Sequence, residues 1–489
     1  MKFPGIVSAL VALGAALLTG CGGGSHQSGG TPDFALSIRS SQAWSGGNAG
    51  SAAIVVSVKS LAGFSGTVAL STTNLPNGIT GSFSPASVDA SGNSTLTLTS
   101  TNGKPADGNY PFTITGTSGN LTNSSNAALF VPGPVKMESI IPPGAMEGSD
   151  GAAIQTYIMS NAVVTGPTFQ VEWSAIDSDG NPAHYSWSYI DSLIQAWTSP
   201  PVSKKANIIF WANSDSATTT CAGNSWSQFG EDGTGNCAIP TYVWNALGSS
   251  NYVTCTPSNA NGPQRIPNYF DAAFQTNYQT FIRAAIAHFA SNASIGYIRF
   301  GLGRGGETLP VGDWDSGDAC SQQFTAWGLT DSTITTKWEP YLQTMLNFEA
   351  QNNPSGVQLM VGITPVGSAG VPDFVANTAV PLKTGFGSQG FQKSDMTNPP
   401  NSCNADWCNL FNTYTGQVPL ELQTVGQSCP SNSCTAGSLV NLLPFAVNNK
   451  VTILEIFYED WLTAFDPNYS PYDGTGAYAS ALTSAATGQ

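Results

Sequence analysis

From Phe169 onward the chain repeats one pattern: a short apolar run rich in β-branched residues, a turn, then a segment with apolar residues three or four apart. Strands that alternate with helical segments bury both faces of a sheet when they run parallel and the helices cover them. Eight such runs are legible: FQVEWS from Phe169, ANIIFWA from Ala206, NYVTC from Asn251, IGYIRFGLG from Ile295, VQLMVGI from Val357, LKTGFGS from Leu382, VPLELQT from Val418 and VTILEIFY from Val451. Between them, SWSYIDSLIQAW, NYFDAAFQTNYQTFIRAAIAHFA, TTKWEPYLQTMLNFEAQ and AGSLVNLLPFAV carry apolar stripes of helical period, which are core faces. Eight strand and helix units in one domain predict an α/β fold of the (β/α)8 TIM barrel type, with its chemistry in the loops after the strands. An open doubly wound sheet is the alternative.

The preceding stretch has a different period. From Phe34 to Val131, AIVVSVKS, GTVALSTT, STLTLTS, YPFTITGT and NAALFV alternate in twos between Gly, Pro and Asn turns, the mark of a half-buried antiparallel sandwich. GFSGTVALSTTNLPNGITGSFSPASVDASGNSTLTLTS, continued by GNYPFTITGTSGNLT, resembles the immunoglobulin-like repeats of bacterial secreted proteins. The resemblance implies an all-β immunoglobulin-like spacer over 33–132. Pro132, Pro134, Pro142 and Pro143 read as a linker or the lip of the next domain, so the chain is multidomain, with the barrel over 133–489.

Met1 and Lys2 precede an uncharged apolar run from Ile6 to Leu18, too short for a comfortable permanent span, which reads as a secretory signal. Leu18-Thr19-Gly20-Cys21 resembles the lipobox of bacterial lipoproteins. The resemblance implies a signal peptide over 1–20, lipidation of Cys21, a flexible tether over 21–32, and an exported protein held on a membrane by its lipid. Gly22 stands where an inner-membrane retention aspartate is common, which implies the outer membrane or cell surface.

Of the nine cysteines, all but Cys21 lie after residue 220. In an oxidising compartment they are candidates for disulfides. Cys403 with Cys408 and Cys429 with Cys434 are spaced to staple single loops, and Cys221 with Cys237 and Cys255 with Cys320 would complete the set. No CxxC pair occurs and there are only three histidines, so no zinc site is expected. A formal net charge of −15 with 9% charged residues offers no basic surface to nucleic acid.

VEWSAIDSDGNPAHYSWSYIDSLI looks like the start of barrel β-galactosidases and related retaining glycoside hydrolases, with Trp173, Ser174, Asp177, Tyr185, Trp187 and Asp191 at the matching positions. That resemblance implies a carbohydrate substrate, a pair of catalytic carboxyls, and neither metal nor organic cofactor. Glycoside hydrolysis uses one carboxyl to protonate the leaving oxygen and another to attack or to activate water. Glu307, in RGGET after IGYIRFGLG, stands where the resembling family carries its acid/base, although Gly306 replaces the usual Asn. Glu421 shares a strand face with Gln423 and is the candidate nucleophile, with Glu455 in LEIFYEDW as its rival. Arg299 would orient or ionise a neighbouring carboxylate. Trp173, Trp211, Trp226, Trp314 and Tyr458 fall near strand ends or in their loops, where rings could stack on sugars. With Arg299 and Gln423, Trp173, Trp211, Trp314 and Tyr458 make up the candidate substrate-binding set.

Two other chemistries are disfavoured. Gly301, Gly303 and Gly306 satisfy GxGxxG, but TLPVGDWDSGDAC follows instead of a helix that could face a phosphate. No GxSxG elbow supports a serine hydrolase. The alternative to a retaining glycosidase is a surface lipoprotein that binds carbohydrate without turnover.

Overall fold

The protein is described from a computed structural model that covers residues 31–38, 41–44, 50–106, 108–131, 133–213, 215–216, 238–257, 262–312, 314, 319–354, 356–397 and 402–488. Cys21, Cys221, Trp226 and Cys237 lie outside the described residues.

Two sheets form the N-terminal part. One orders Asp33–Ile38, Ser51–Leu61, Gly92–Ser100 and Ile79–Ser84 with antiparallel pairing throughout. The other orders Ser41–Ala43, Leu121–Val131, Gly108–Ser118, Thr67–Thr73 and Ser87–Asp89 and is antiparallel except for the parallel pair at Ser41–Ala43. Successive strand residues point to opposite faces, so Ile54, Val56 and Val58 turn inward between less buried neighbours. They meet Leu96, Leu98, Phe112, Ile114 and Leu129 in one apolar core.

The C-terminal part closes into a ring of eight parallel strands. They are β1 (Lys136–Ile141), β2 (Gly166–Glu172), β3 (Ala206–Trp211), β4 (Ile295–Phe300), β5 (Leu359–Gly362), β6 (Gly385–Phe391), β7 (Leu420–Thr424) and β8 (Ile453–Phe457). The ring shuts where β1 pairs with β8, from Lys136 against Ile453 to Ile140 against Phe457. This corrects the sequence reading twice. KMESII, flanked by prolines and read as linker, is the first strand. NYVTC supplies Tyr252–Cys255, which is no barrel strand but pairs antiparallel with Gln264–Pro267 in a small sheet inserted between β3 and β4. The two differences offset, so IGYIRF remains the fourth strand.

Alternation sorts the barrel residues. Phe169, Val171, Ile208, Phe210, Ile298, Phe300, Leu420, Leu422, Leu454 and Ile456 face the surrounding helices within the main apolar core. The longest of these helices, Ala272–Phe289, is capped by Asp271, whose side chain accepts from the backbone N–H of Ala273 at 2.8 Å. It lays Phe274, Tyr278, Phe281, Ile282 and Ile286 against the sheet side. Residues of the other parity fill the barrel lumen. Tyr297, Met360 and Ile453 form a small apolar cluster there, and beside them stand Gln170, Arg299, Glu421, Gln423 and Glu455, all buried. Disulfides Cys255–Cys320, Cys403–Cys408 and Cys429–Cys434 brace loops of this domain.

Long polar side chains fit the lumen because glycine lines it elsewhere. A Cβ at Gly387 would lie 2.5 Å from both the backbone oxygen and Oε2 of Glu421. At Gly390, three residues on, nothing lies within 4 Å. Gly387→Ala is therefore expected to lower stability by about 1–3 kcal/mol through overpacking, and Gly390→Ala to change it by less than about 0.5 kcal/mol, both read from urea denaturation midpoints.

Candidate active site

A cavity of about 550 Å³ opens at the carboxyl ends of the barrel strands, where barrel loops gather. Its floor is made of inward side chains from the strands themselves: Gln170 of β2, Gln389 of β6 and Gln423 of β7. Trp211 at the end of β3, Phe457 at the end of β8 and Trp407 from the excursion after β6 form its apolar walls. Glu307 enters from the loop after β4, and Asp395 and Asp406 from the excursion after β6.

The Glu307 loop folds back on itself. Leu302 and Gly303 both donate backbone N–H groups to the Glu307 carbonyl, at 3.0 and 2.9 Å, and Arg304 N–H reaches Leu309 O at 2.8 Å. Gly301 and Gly303 are needed for this knot, since a Cβ there would strike the backbone oxygens of Gly305 and Leu309 respectively. The GxGxxG pattern is thus a packing requirement of the loop. At Gly306 a Cβ would lie 2.6 Å from Cγ2 of Ile209, so the asparagine common in the resembling family has no room here.

Glu307 is half-buried. Its Oε2 accepts from the Thr364 hydroxyl at 3.1 Å. Burial pushes its carboxyl above the ordinary range, against the opposing charges of Arg304 and Arg299 and the Thr364 hydrogen bond.

Glu421 and Glu455 are placed differently. Both have no exposed surface and flank Arg299, itself 1% exposed. Arg299 Nη1 bonds Glu421 Oε2, while Nη2 reaches Gln423 Oε1 at 2.8 Å and Glu455 Oε2 at 3.1 Å. The Tyr297 hydroxyl donates to the other oxygen of Glu455. Burial, with the neighbouring Glu455, holds Glu421 well above the ordinary carboxylate range despite the pull of Arg299. The two carboxylates keep Arg299 charged against the burial that opposes it.

The expected pair is therefore split between two levels. Glu307 and Gln423 line the cavity, whereas Glu421, Glu455 and Arg299 form an ion cluster inside the barrel beneath it. Gln389 lies between the levels: its Nε2 is 3.4 Å from Glu421 Oε2, and its side chain lines the cavity floor.

Of the aromatic candidates, Trp211 lines the cavity. Trp173 is instead fully buried against Tyr278 and Phe281, with ring centroids 5.0 and 5.7 Å away. Its Nε1 donates to Asp177 at 2.9 Å, and Asp177 also accepts from the Tyr242 hydroxyl at 2.7 Å and Gly180 N–H at 2.8 Å. Trp173 and Asp177 thus build a buried hub. Trp314 donates to Asp331 at 2.8 Å beside a separate, smaller pocket. The Tyr458 hydroxyl donates to Asp150 at 3.1 Å, away from the cavity lining.

The lining residues not singled out from sequence include Gln170, Gln389, Asp395 and Trp407. Gln170 shared its inward parity with the strand in which it was read, which was a usable signal. Gln389 lies just past the end of its run, and Asp395 and Trp407 lie on the 3-10 turn Lys393–Asp395 and the helix Asp406–Tyr414, away from any strand end.

No protein-family model matches the chain, and no curated protein matches it. Solved structures similar to it include a family 123 glycoside hydrolase from Clostridium perfringens, described for glycolipid glycan hydrolysis, at 11% identity and a TM-score of 0.32 over 93% of this chain and 87% of that one. Another is a sialyltransferase from Photobacterium damsela, at 11% identity and a TM-score of 0.11 over 75% of this chain and 88% of that one.

Removing Arg299 would leave two carboxyls buried without their cation. Arg299→Met is expected to cost about 3–5 kcal/mol in urea denaturation, and adding Glu421→Gln to recover part of it. A loss below about 1 kcal/mol for Arg299→Met would show that the cluster does not hold the barrel interior together.

Proposed function

We propose that this chain is a glycoside hydrolase that acts outside the cytoplasm on a poly- or oligosaccharide, with Glu307 as proton donor. The observation that carries this reading is a carboxyl raised by burial, poised in a barrel-mouth cavity whose floor is three neutral amides and whose walls include two indoles. Amides donate and accept as sugar hydroxyls do, and aromatic faces supply flat apolar surface. Gln389 is 7% exposed and its Oε1 accepts no hydrogen bond among the described residues, which suits it to a ligand hydroxyl at the floor.

In this reading Glu307 transfers its proton to the glycosidic oxygen as the bond to the anomeric carbon breaks. Retention, which the β-galactosidase resemblance implies, needs an ionised nucleophile about 5–5.5 Å from the acid. Glu421 is on a suitable strand, but it is raised, paired with Arg299 and sealed below Gln389. That same observation favours a second reading, a protein that binds carbohydrate without cleaving it.

Export and anchoring belong to the proposal. The apolar leader and the lipobox-like Leu18-Thr19-Gly20-Cys21 support a lipid-anchored protein of the outer membrane or cell surface, and the disulfides suit an oxidising compartment. The N-terminal sheets serve as an immunoglobulin-like spacer.

A panel of 4-nitrophenyl glycosides and soluble glycans tests the reading. For whichever substrate is cleaved, Glu307→Gln is expected to lower kcat by about 10²–10⁴-fold with little change in KM. Proton donation requires the protonated carboxyl, so wild-type kcat/KM falls as pH rises through the raised Glu307 pKa, and that alkaline limb disappears in the variant. Sugar binding by calorimetry with no turnover by the wild type would favour the second reading.

A further inference from the structure

We propose that Asp395 is the second catalytic carboxylate: it activates a water molecule to attack the anomeric carbon, so that hydrolysis inverts the configuration. This inference rests on the glycosidase reading and supplies the partner that Glu307 lacks in Glu421.

Among the described residues, three carboxyl side chains line the cavity: Glu307, Asp395 and Asp406. Asp406 is exposed at the start of the helix Asp406–Tyr414, whereas Asp395 is half-buried and held on several sides. Its backbone N–H donates to Gln392 O at 3.0 Å and its carbonyl accepts from Asn404 N–H at 2.8 Å. The hairpin pairing Met396–Thr397 with Ser402–Cys403 follows directly, and the Cys403–Cys408 disulfide ties that hairpin to the helix bearing Trp407. A base held this firmly needs little reorganisation to meet its water.

Burial raises both carboxyls, that of Asp395 against the hydrogen bonds from Trp407 and Gln392 N–H, and it is the hydrogen-bond partners that separate the roles of the two acids. Asp395 Oδ2 accepts from Trp407 Nε1 at 3.2 Å and from Gln392 N–H at 3.3 Å. Both partners are obligate donors, which an acceptor-only carboxylate satisfies. Oδ1 accepts no hydrogen bond from any described residue, and the Asp395 residue lines the cavity. Glu307 instead meets the Thr364 hydroxyl, which can donate or accept and so tolerates a protonated carboxyl. In the step, Asp395 Oδ1 takes a proton from water as the water oxygen bonds the anomeric carbon. The glycosidic C–O bond breaks and its oxygen takes the proton of Glu307. Solvent then reverses both protonation changes.

The test uses the full mature chain and the glycosides that the panel shows to be cleaved. Proton NMR of the first-formed product is expected to show the anomer opposite to that of the substrate. Asp395→Asn is expected to lower kcat by about 10²–10⁴-fold with little change in KM, and exchanging 4-nitrophenol for the better leaving group 2,4-dinitrophenol should not restore it. The same exchange should restore Glu307→Gln, whose defect lies at the leaving oxygen. The amide oxygen introduced by Asp395→Asn still accepts from Trp407 and Gln392, and an unchanged thermal melt by circular dichroism confirms the fold. Retained configuration, or near wild-type kcat in Asp395→Asn, overturns the inference and leaves the glycosidase reading standing. A wild type that cleaves nothing on the panel overturns both.

Discussion

A single guanidinium in the centre of the barrel organises much of what lies above it. Arg299 is buried among Glu421, Glu455 and Gln423, and an ion taken so far from water is tolerated only with near-complete pairing. That pairing has two consequences. It joins β4, β7 and β8 across the lumen, which an all-apolar filling would do without fixing directions. It also draws Glu421 and Glu455 into the interior, so the acids available for chemistry are those the loops supply. Gln423, bonded to Arg299 from one side, presents its remaining surface to the cavity floor.

The rim is shaped by the absence of side chains as much as by their presence. Gly301, Gly303 and Gly306 allow the loop after β4 to fold onto β3, resting on Ile209 and Trp211. This brings Glu307 over the barrel mouth in a setting dry enough to raise its carboxyl. The excursion after β6 brings to the same cavity a carboxyl held by an indole and a backbone N–H. Amide floor, aromatic wall and the two acids are the features on which the proposed uncharged, hydroxyl-rich ligand rests.

The barrel was legible because strand and helix periods differ, and seven of its eight strands carry a recognisable apolar run. Lys136–Ile141 escaped because it is flanked by prolines, so local turn signals outweighed its apolar run. Tyr252–Cys255 was misplaced because β propensity does not distinguish a barrel strand from an antiparallel ribbon. Alternation correctly turned Glu421 inward, yet it specifies a face and not a depth, so the buried level of that side chain could not be read. Glu307 was visible as an acid directly after a strand. Asp395 was not, since its place depends on a disulfide, a hairpin and Trp407, none of which leaves a periodic trace.

The most direct measurement is a crystal structure of the Glu307→Gln protein soaked with an oligosaccharide that it binds but does not turn over. The expected result is a sugar ring above Gln170, Gln389 and Gln423, flanked by Trp211 or Trp407, with its glycosidic oxygen about 2.7–3.2 Å from the amide at position 307 and Arg299 still closed onto Glu421 and Glu455 below. A sugar seated elsewhere on the barrel, or one that opens the Arg299 cluster to reach Glu421, would contradict this account.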